Sequence, residues 1–197
     1  MKLFPSLPDA PHLADVYRLF PEHVKPLLEY HDRLLRGESP LTVGERELIA
    51  AYVSGLNACT FCYGAHKLYA DIFGFDARIV EEMVADLDAA PIDERLKPLL
   101  RYAAKLKSLP PKLTPADAKA VYDAGWTERA LFDTIEIAAL FNYMNRIIEG
   151  TGVSYDFDAN PPTAAEREMR RTRTYSDFGK ALGIEYPPQR TYENDGR

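Results

Sequence analysis

The stretch from Thr127 to about Glu149 constrains the fold more than any other part of the chain. Thr127 is a helix-capping residue type. Leu131, Ile135, Ala138, Ala139, Phe141, Met144 and Ile148 then place apolar groups on most sides of a helix. Such a helix cannot face water all round, so the spacing predicts a buried central helix covered by other elements. Helix signals dominate the rest as well. Pro21 and Glu22 open a stretch with Val24, Leu27, Leu28, His31, Leu34 and Leu35 at helical spacing, closed by Gly37. Thr42 and Glu45 make a capping box for a helix to about Ser54, and residues 55–58 read as a turn. From about Cys59 a helix runs to Phe73, with Gly74 as its stop. Asp76 caps a helix carrying Ile79, Val80, Met83, Val84 and Leu87, and Asp93 to Leu106 is amphipathic. Thr114, Pro115 and Asp117 open one more helix. Strand signals are weak throughout, so the expected fold class is all-α.

The character changes after Gly150. Asp156 to Pro162 is polar and proline-bearing and reads as a linker. Thr163 and Glu166 cap a charged helix to about Leu182, whose apolar stripe is only Met169, Tyr175, Phe178 and Leu182. A helix with so little apolar surface needs support. It is expected to pack on the main body or on a neighbouring subunit. The implied organisation is one all-helical domain over 1–155, which carries Cys59-x-x-Cys62, followed over 156–197 by a linker and a C-terminal helical extension that is not an independent domain.

At 197 residues the chain is long enough for one domain with a sizeable core, or one plus an appendage. No run of about 18 apolar residues occurs, and 27% charged residues argues against a membrane protein. Met1-Lys2-Leu3-Phe4-Pro5 lacks the apolar core of a secretion signal, so cytoplasmic residence is expected. The net charge of −6 disfavours non-specific binding to nucleic acid. Arg170, Arg171 and Arg173 alternate with Glu166 and Glu168 and read as a solvated helix face.

The chemistry concentrates in Asn57-Ala58-Cys59-Thr60-Phe61-Cys62-Tyr63-Gly64-Ala65-His66, which holds both cysteines of the chain. Two cysteines placed at random fall three apart only about 1% of the time, so the spacing is informative. Structural zinc normally needs a second such pair, and a structural disulfide is disfavoured in a reducing compartment. An active dithiol fits better, with two inert buried thiols as the alternative. On a helix, Cys59, Cys62 and His66 share one face, and Cys62 and His66 are one turn apart. Cys59 falls at the helix N-terminus, where free amides favour a thiolate. If residues 43–54 and 59–73 form an antiparallel hairpin, Glu47 and His66 both lie about 12 Å from the turn and come level. The carboxylate would then orient the imidazole.

Other residues read as structural. His12, His23 and His31 have no carboxylate at ligand spacing, and His31 suits a helix stripe. Tyr52 and Tyr63 are expected to pack, and Asn57 to tie down the turn. Trp126 is expected in core or interface. Asn142, Asn145 and Arg146 suggest a polar helix face or an intersubunit hydrogen-bond set, ahead of a subsite for an acid group.

Glu47, eleven residues, Cys59-x-x-Cys62, three residues and His66 together resemble the alkylhydroperoxidase D family, within the carboxymuconolactone-decarboxylase-like superfamily. The length, Asn142-Tyr143-Met144-Asn145-Arg146 and the C-terminal extension are similar to its uncharacterised peroxidase-related branch. The resemblance implies a helical bundle of that type, in homo-oligomers, often trimers or hexamers. It implies a thiol-dependent peroxidase needing no haem, flavin or metal. Cys62 would be the peroxidatic cysteine and Cys59 the resolving one, with His66 and Glu47 as proton relay. The expected partners are a hydroperoxide substrate and an external dithiol reductant, lipoyl or thioredoxin-like. The best-known member carries histidine just before its second cysteine. Phe61 stands there instead and puts an apolar group beside the thiols, which suits an organic or lipid peroxide or an apolar partner. The competing functions are a general dithiol–disulfide oxidoreductase or redox sensor, the cysteine-independent decarboxylase or lactone chemistry of the wider superfamily, and a non-enzymatic helical assembly with inert thiols.

Overall fold

The computed structural model describes residues 3–184, and among them every regular element is a helix. In chain order these are α1 Leu13–Leu19, α2 Val24–Arg36, α3 Val43–Leu56, α4 Thr60–Ile72, α5 Ala77–Ala85, α6 Leu96–Lys105, α7 Pro115–Asp123, α8 Glu128–Thr151, α9 Ala164–Thr172 and α10 Tyr175–Ala181. A short 3-10 turn at Pro21–His23 leads into α2. The part of the C-terminal extension beyond residue 184 lies outside the described residues.

The central position belongs to α3. Its run Arg46 to Ser54 is buried without a break, and it packs along α4 and against α5, α6 and α8. The sequence expectation gave that place to α8. Instead α8 buries one side through Leu131, Ile137, Ala138, Phe141, Met144 and Ile148, and leaves Phe132, Ala139 and Tyr143 on its outer side exposed. An apolar residue type shows only that a position tolerates burial. It does not identify the helix that other helices surround.

One close approach and a cap at each end hold α3 in place. A methyl group on Gly44 would come within 2.9 Å of the Phe73 carbonyl oxygen, so only glycine lets the start of α3 meet the end of α4. The expected Thr42–Glu45 box starts α3: the Thr42 amide donates to Glu45 Oε2 at 2.6 Å, and the Glu45 amide donates to Thr42 Oγ1 at 3.2 Å. At the other end the Cys59 amide donates to the Ser54 carbonyl at 3.0 Å and the Ala58 amide to the Gly55 carbonyl at 3.0 Å. This is a Schellman closure, with Ala58 at φ 55° in the place glycine normally takes. The strain of a non-glycine residue there is about 1 kcal/mol. The motif makes one residue, Cys59, both the last of the α3 closure and the N-cap of α4.

Three features of the ends differ from expectation. Helix α1 appears, capped by His12, whose Nδ1 accepts from the Ala14 amide while Asp15 returns to the His12 amide. The extension contains two helices instead of one, because Thr174 and Asp177 form a second capping box that ends α9 and starts α10. Residues 156–162 turn back onto α4: Phe157 packs edge-on to Phe61 with ring centres 5.4 Å apart, and Asp158 pairs with Lys67 at 2.9 Å. The extension packs on the main body. Asp32 of α2 accepts from the amides of Tyr175 and Ser176 at 2.6 and 2.9 Å, which caps the first turn of α10 with a carboxylate from another helix. Arg167 ties α9 to Asp71 of α4 at 2.7 Å. Tyr17, Val24 and Leu28 form a small core with Phe178 and Leu182.

Candidate active site

The hairpin of α3 and α4 brings the four expected residues together. Cys59 and Cys62 are reduced and buried. His66 follows Cys62 by one turn, and its Nδ1 lies 2.5 Å from Glu47 Oε2. Glu47, reaching across from α3, is completely buried. Because Nδ1 is taken by the carboxylate, Nε2 is the ring nitrogen left for a ligand.

The thiols behave as a pair. Cys59 accepts from the Cys62 thiol and from the Cys62 backbone amide at the start of α4, which draws its pKa below the ordinary thiol value against the opposing effect of burial. The thiol hydrogen bond to Cys59, together with burial, pushes Cys62 up, while Asn145 partly offsets this. Negative charge is therefore favoured on Cys59 and disfavoured on Cys62. The Glu149 carboxylate, on the exposed end of α8, faces Cys59 and works against that charge. Access divides the pair the other way. Cys62 lines a cavity of about 310 Å³ together with His66, Phe61 and Phe141, and Cys59 does not.

Burial alone would keep Glu47 protonated. The neighbouring His66 and Arg36 overcome this and hold its carboxyl below the usual range. Arg36 Nη1 is 2.5 Å from Glu47 Oε1, and its guanidinium sits 5.1–5.4 Å from the ring centres of Phe73, Tyr175 and Tyr69. Tyr175 donates its hydroxyl to the same oxygen at 3.3 Å. Burial and the adjacent Glu47 raise the Tyr175 pKa well above its ordinary value, so it remains a donor.

No protein-family model matches the chain, and no curated protein matches it. Solved structures do. An uncharacterized peroxidase-related protein from Silicibacter sp. TM1040 is 27% identical, with a TM-score of 0.67 over 79% of this chain and 78% of its own. An uncharacterized peroxidase-related protein from Ralstonia eutropha JMP134, described as an alkylhydroperoxidase AhpD core, is 26% identical, with a TM-score of 0.68 over 73% of this chain and 76% of its own. The chain shares the all-helical fold of these alkylhydroperoxidase D-like, peroxidase-related proteins.

In this alkylhydroperoxidase D-like chain, sequence reasoning missed Arg36 and Tyr175. They stand 11 residues before and 128 residues after Glu47, and nothing local in either segment points at a buried carboxylate. Their signal was indirect: a fully buried glutamate needs more than one counter-group. The polar set on α8 was expected at a helix face or between subunits. Asn142 and Asn145 instead accept from Asn57 Nδ2 at 3.1 and 2.8 Å, and Asn145 donates to Ser54 Oγ at 3.1 Å. They pin the turn that carries Cys59, the role foreseen for Asn57. Trp126 is buried, and its indole donates to the Arg95 carbonyl at 2.5 Å. Among the described residues no three His, Cys, Asp or Glu side chains converge as metal ligands.

Tyr175→Phe removes one donor from Glu47 and is expected to lower kcat/KM about 3–10-fold, in line with a hydrogen bond worth ~1 kcal/mol. The pH profile should shift while the unfolding midpoint hardly moves, since the ring and its packing remain. An unchanged pH profile contradicts a role for the hydroxyl.

His31 was expected to be a satisfied helix residue. It is buried, with Nδ1 donating to the Leu27 carbonyl at 2.7 Å, and it lines the same cavity. Burial pulls its pKa down from 6.5 to about 4. The unfolded chain thus takes up a proton that the folded chain refuses. The stability from the neutral ring is complete above pH 6.5 and is lost as pH falls from 6.5 towards 4, by ~3 kcal/mol in all. Urea midpoints at neutral and mildly acid pH should show this slope in the wild type and a flatter one in His31→Gln. Equal slopes contradict it.

Proposed function

We propose that this protein is a thiol-dependent peroxidase that reduces organic hydroperoxides with the Cys59/Cys62 pair and takes electrons from an external dithiol, lipoyl or thioredoxin-like. The observation that supports it most is one cavity lined by both Cys62 and His66, with His66 fixed by Glu47 at 2.5 Å. The geometry orders the steps. A hydroperoxide enters against Cys62. The Cys62 sulfur attacks the terminal oxygen, its proton passes to His66 Nε2, and the O–O bond breaks. The departing alkoxide takes the proton on His66 Nε2 and leaves as an alcohol, while Cys62 becomes a sulfenic acid. The Cys59 sulfur then attacks Cys62. The S–O bond breaks, and hydroxide leaves as water with the proton from Cys59. The sum is one hydroperoxide and two thiols converted to alcohol, water and a disulfide, a two-electron exchange. An external dithiol restores the pair and returns both thiol protons. Glu47, Arg36 and Tyr175 act through His66 as positioning residues.

Cys62 opens into a cavity of small-molecule size, which favours a peroxide as oxidant and sets this reading above a general dithiol–disulfide oxidoreductase. A catalytic dithiol recycled by an external dithiol suits a reducing compartment, consistent with cytoplasmic residence. Among the described residues no helix is long and apolar enough to cross a membrane. The outer side of α8, with Phe132 and Tyr143 about half exposed, suits a homo-oligomer, trimeric or hexameric. The direct test is hydroperoxide consumption by the reduced protein with a recycling dithiol. Failure with every organic hydroperoxide and every donor overturns the reading.

A further inference from the structure

The cavity beside Cys62 is larger than a peroxide group requires. Its volume of about 310 Å³ falls at the lower end of the usual range for small-molecule sites, roughly 300–1,000 Å³. Most of its wall is aromatic or aliphatic, including Phe61, Phe141, Met144 and Phe157. Two arginines from the extension, Arg170 of α9 and Arg173 beside α10, complete that wall.

These two arginines differ from their neighbours in sequence. Arg167 is paired with Asp71, and Arg171 with Glu168. Arg170 and Arg173 are half-buried, and neither forms an ion pair with a carboxylate of the described residues. Among the described residues Arg173 donates to the Asp177 carbonyl at 3.3 Å and lies 5.8 Å over the Phe178 ring. The chain is not short of carboxylates, with 30 acidic against 24 basic residues. A guanidinium carries five donors in a planar fork that matches a carboxylate. Two such groups in a mostly apolar wall match an anion attached to an apolar body. The alternating charges thus do not form one solvated face: Arg171 pairs with Glu168 and lies 5.7 Å over the Phe73 ring, and Arg170 and Arg173 line the cavity.

We propose that the cavity selects hydroperoxides that carry a carboxylate on an apolar or aromatic body. Arg170 and Arg173 hold the carboxylate, the aromatic wall covers the body, and the terminal peroxide oxygen meets Cys62. The chemistry of this assignment rests on the peroxidase reading, but the binding does not. The products are the corresponding hydroxy acid and water, with both electrons from the dithiol.

The test uses the full reduced chain and cumene hydroperoxide derivatives. Calorimetric binding is measured for cumyl alcohol bearing a para-carboxylate and for its methyl ester, neither of which can be reduced. The acid is expected to bind at least ~10-fold more tightly than the ester, the effect of one charge-assisted contact. In the Arg170→Gln/Arg173→Gln double variant, the acid-to-ester ratio should fall to within about two-fold. Equal binding of acid and ester by the wild type overturns the proposal without any variant, and so does a ratio that survives in the double variant. The para-carboxylate of cumene hydroperoxide itself then separates the two readings. If it binds with arginine-dependent preference but is not reduced, the peroxidase reading fails and the site stands. If acid and ester are reduced equally well, the peroxidase reading stands and the site fails.

Discussion

Cys62→Ser is expected to abolish hydroperoxide consumption, a loss of about a thousand-fold or more, while leaving the unfolding midpoint within a degree or two. The reason is one of access. Cys62 is the sulfur that lines the cavity, and a serine hydroxyl there cannot accept oxygen and form the sulfur–oxygen intermediate. The buried volume hardly changes, so packing is kept. The complementary variant separates the two sulfurs. Cys59→Ser retains a sulfur at the cavity but loses the resolving partner. It should react once and stop as a sulfenic acid that a dione reagent can trap. If Cys62→Ser still turns over and Cys59→Ser does not, the two roles are reversed, and the sulfur on which charge is favoured is also the attacker.

Glu47→Leu is expected to produce the largest stability loss of any single substitution at the site, about 3–5 kcal/mol. Glu47 has no exposed surface, and it is the carboxylate that balances Arg36, itself only 15% exposed. Leucine fills the space but leaves a guanidinium caged by three aromatic rings with no anion. For a chain of this size the loss corresponds to a fall of roughly 10 °C in melting temperature. Glu47→Gln keeps an acceptor for Arg36 and Tyr175 but removes the charge that orients His66, so activity should fall about a hundred-fold with a smaller stability loss. The double variant Arg36→Met/Glu47→Leu removes both charges and should recover much of what Glu47→Leu alone loses. Urea denaturation of the three variants checks this. If Glu47→Leu is as stable as the wild type, the ion pair is not what holds α2 against α3.

The parts of this site that were legible in the sequence are the ones encoded locally. The Thr42–Glu45 box, the spacing of Cys59, Cys62 and His66, and the stop at Gly74 each lie within one or two helical turns. Glu47 was legible because a hairpin is symmetrical about its turn, so positions equally far from the turn meet. Arg36 and Tyr175 were not legible, since their partner is reached through tertiary packing and neither spacing nor composition specifies it. The break between α9 and α10 was missed for a different reason. Thr174 and Asp177 form a clear capping box, but they lie inside a charged run that reads as one continuous helix. Helix α1 was missed because His12 is an unusual cap, although Asp15 stands where a capping box needs it. The order of burial between α3 and α8 depends on which faces other helices cover, and helix periodicity carries little of that information.

The central claim is that one hydroperoxide oxidises one buried dithiol through Cys62. Its most direct test is a single-turnover titration of the reduced protein, without recycling donor, against one equivalent of cumene hydroperoxide, followed by intact mass and thiol count. The account predicts one equivalent of cumyl alcohol, loss of both thiols, and a protein lighter by two hydrogens with Cys59 and Cys62 joined. Peroxide left unconsumed with both thiols intact contradicts it, and so does oxidation that adds oxygen without forming that disulfide.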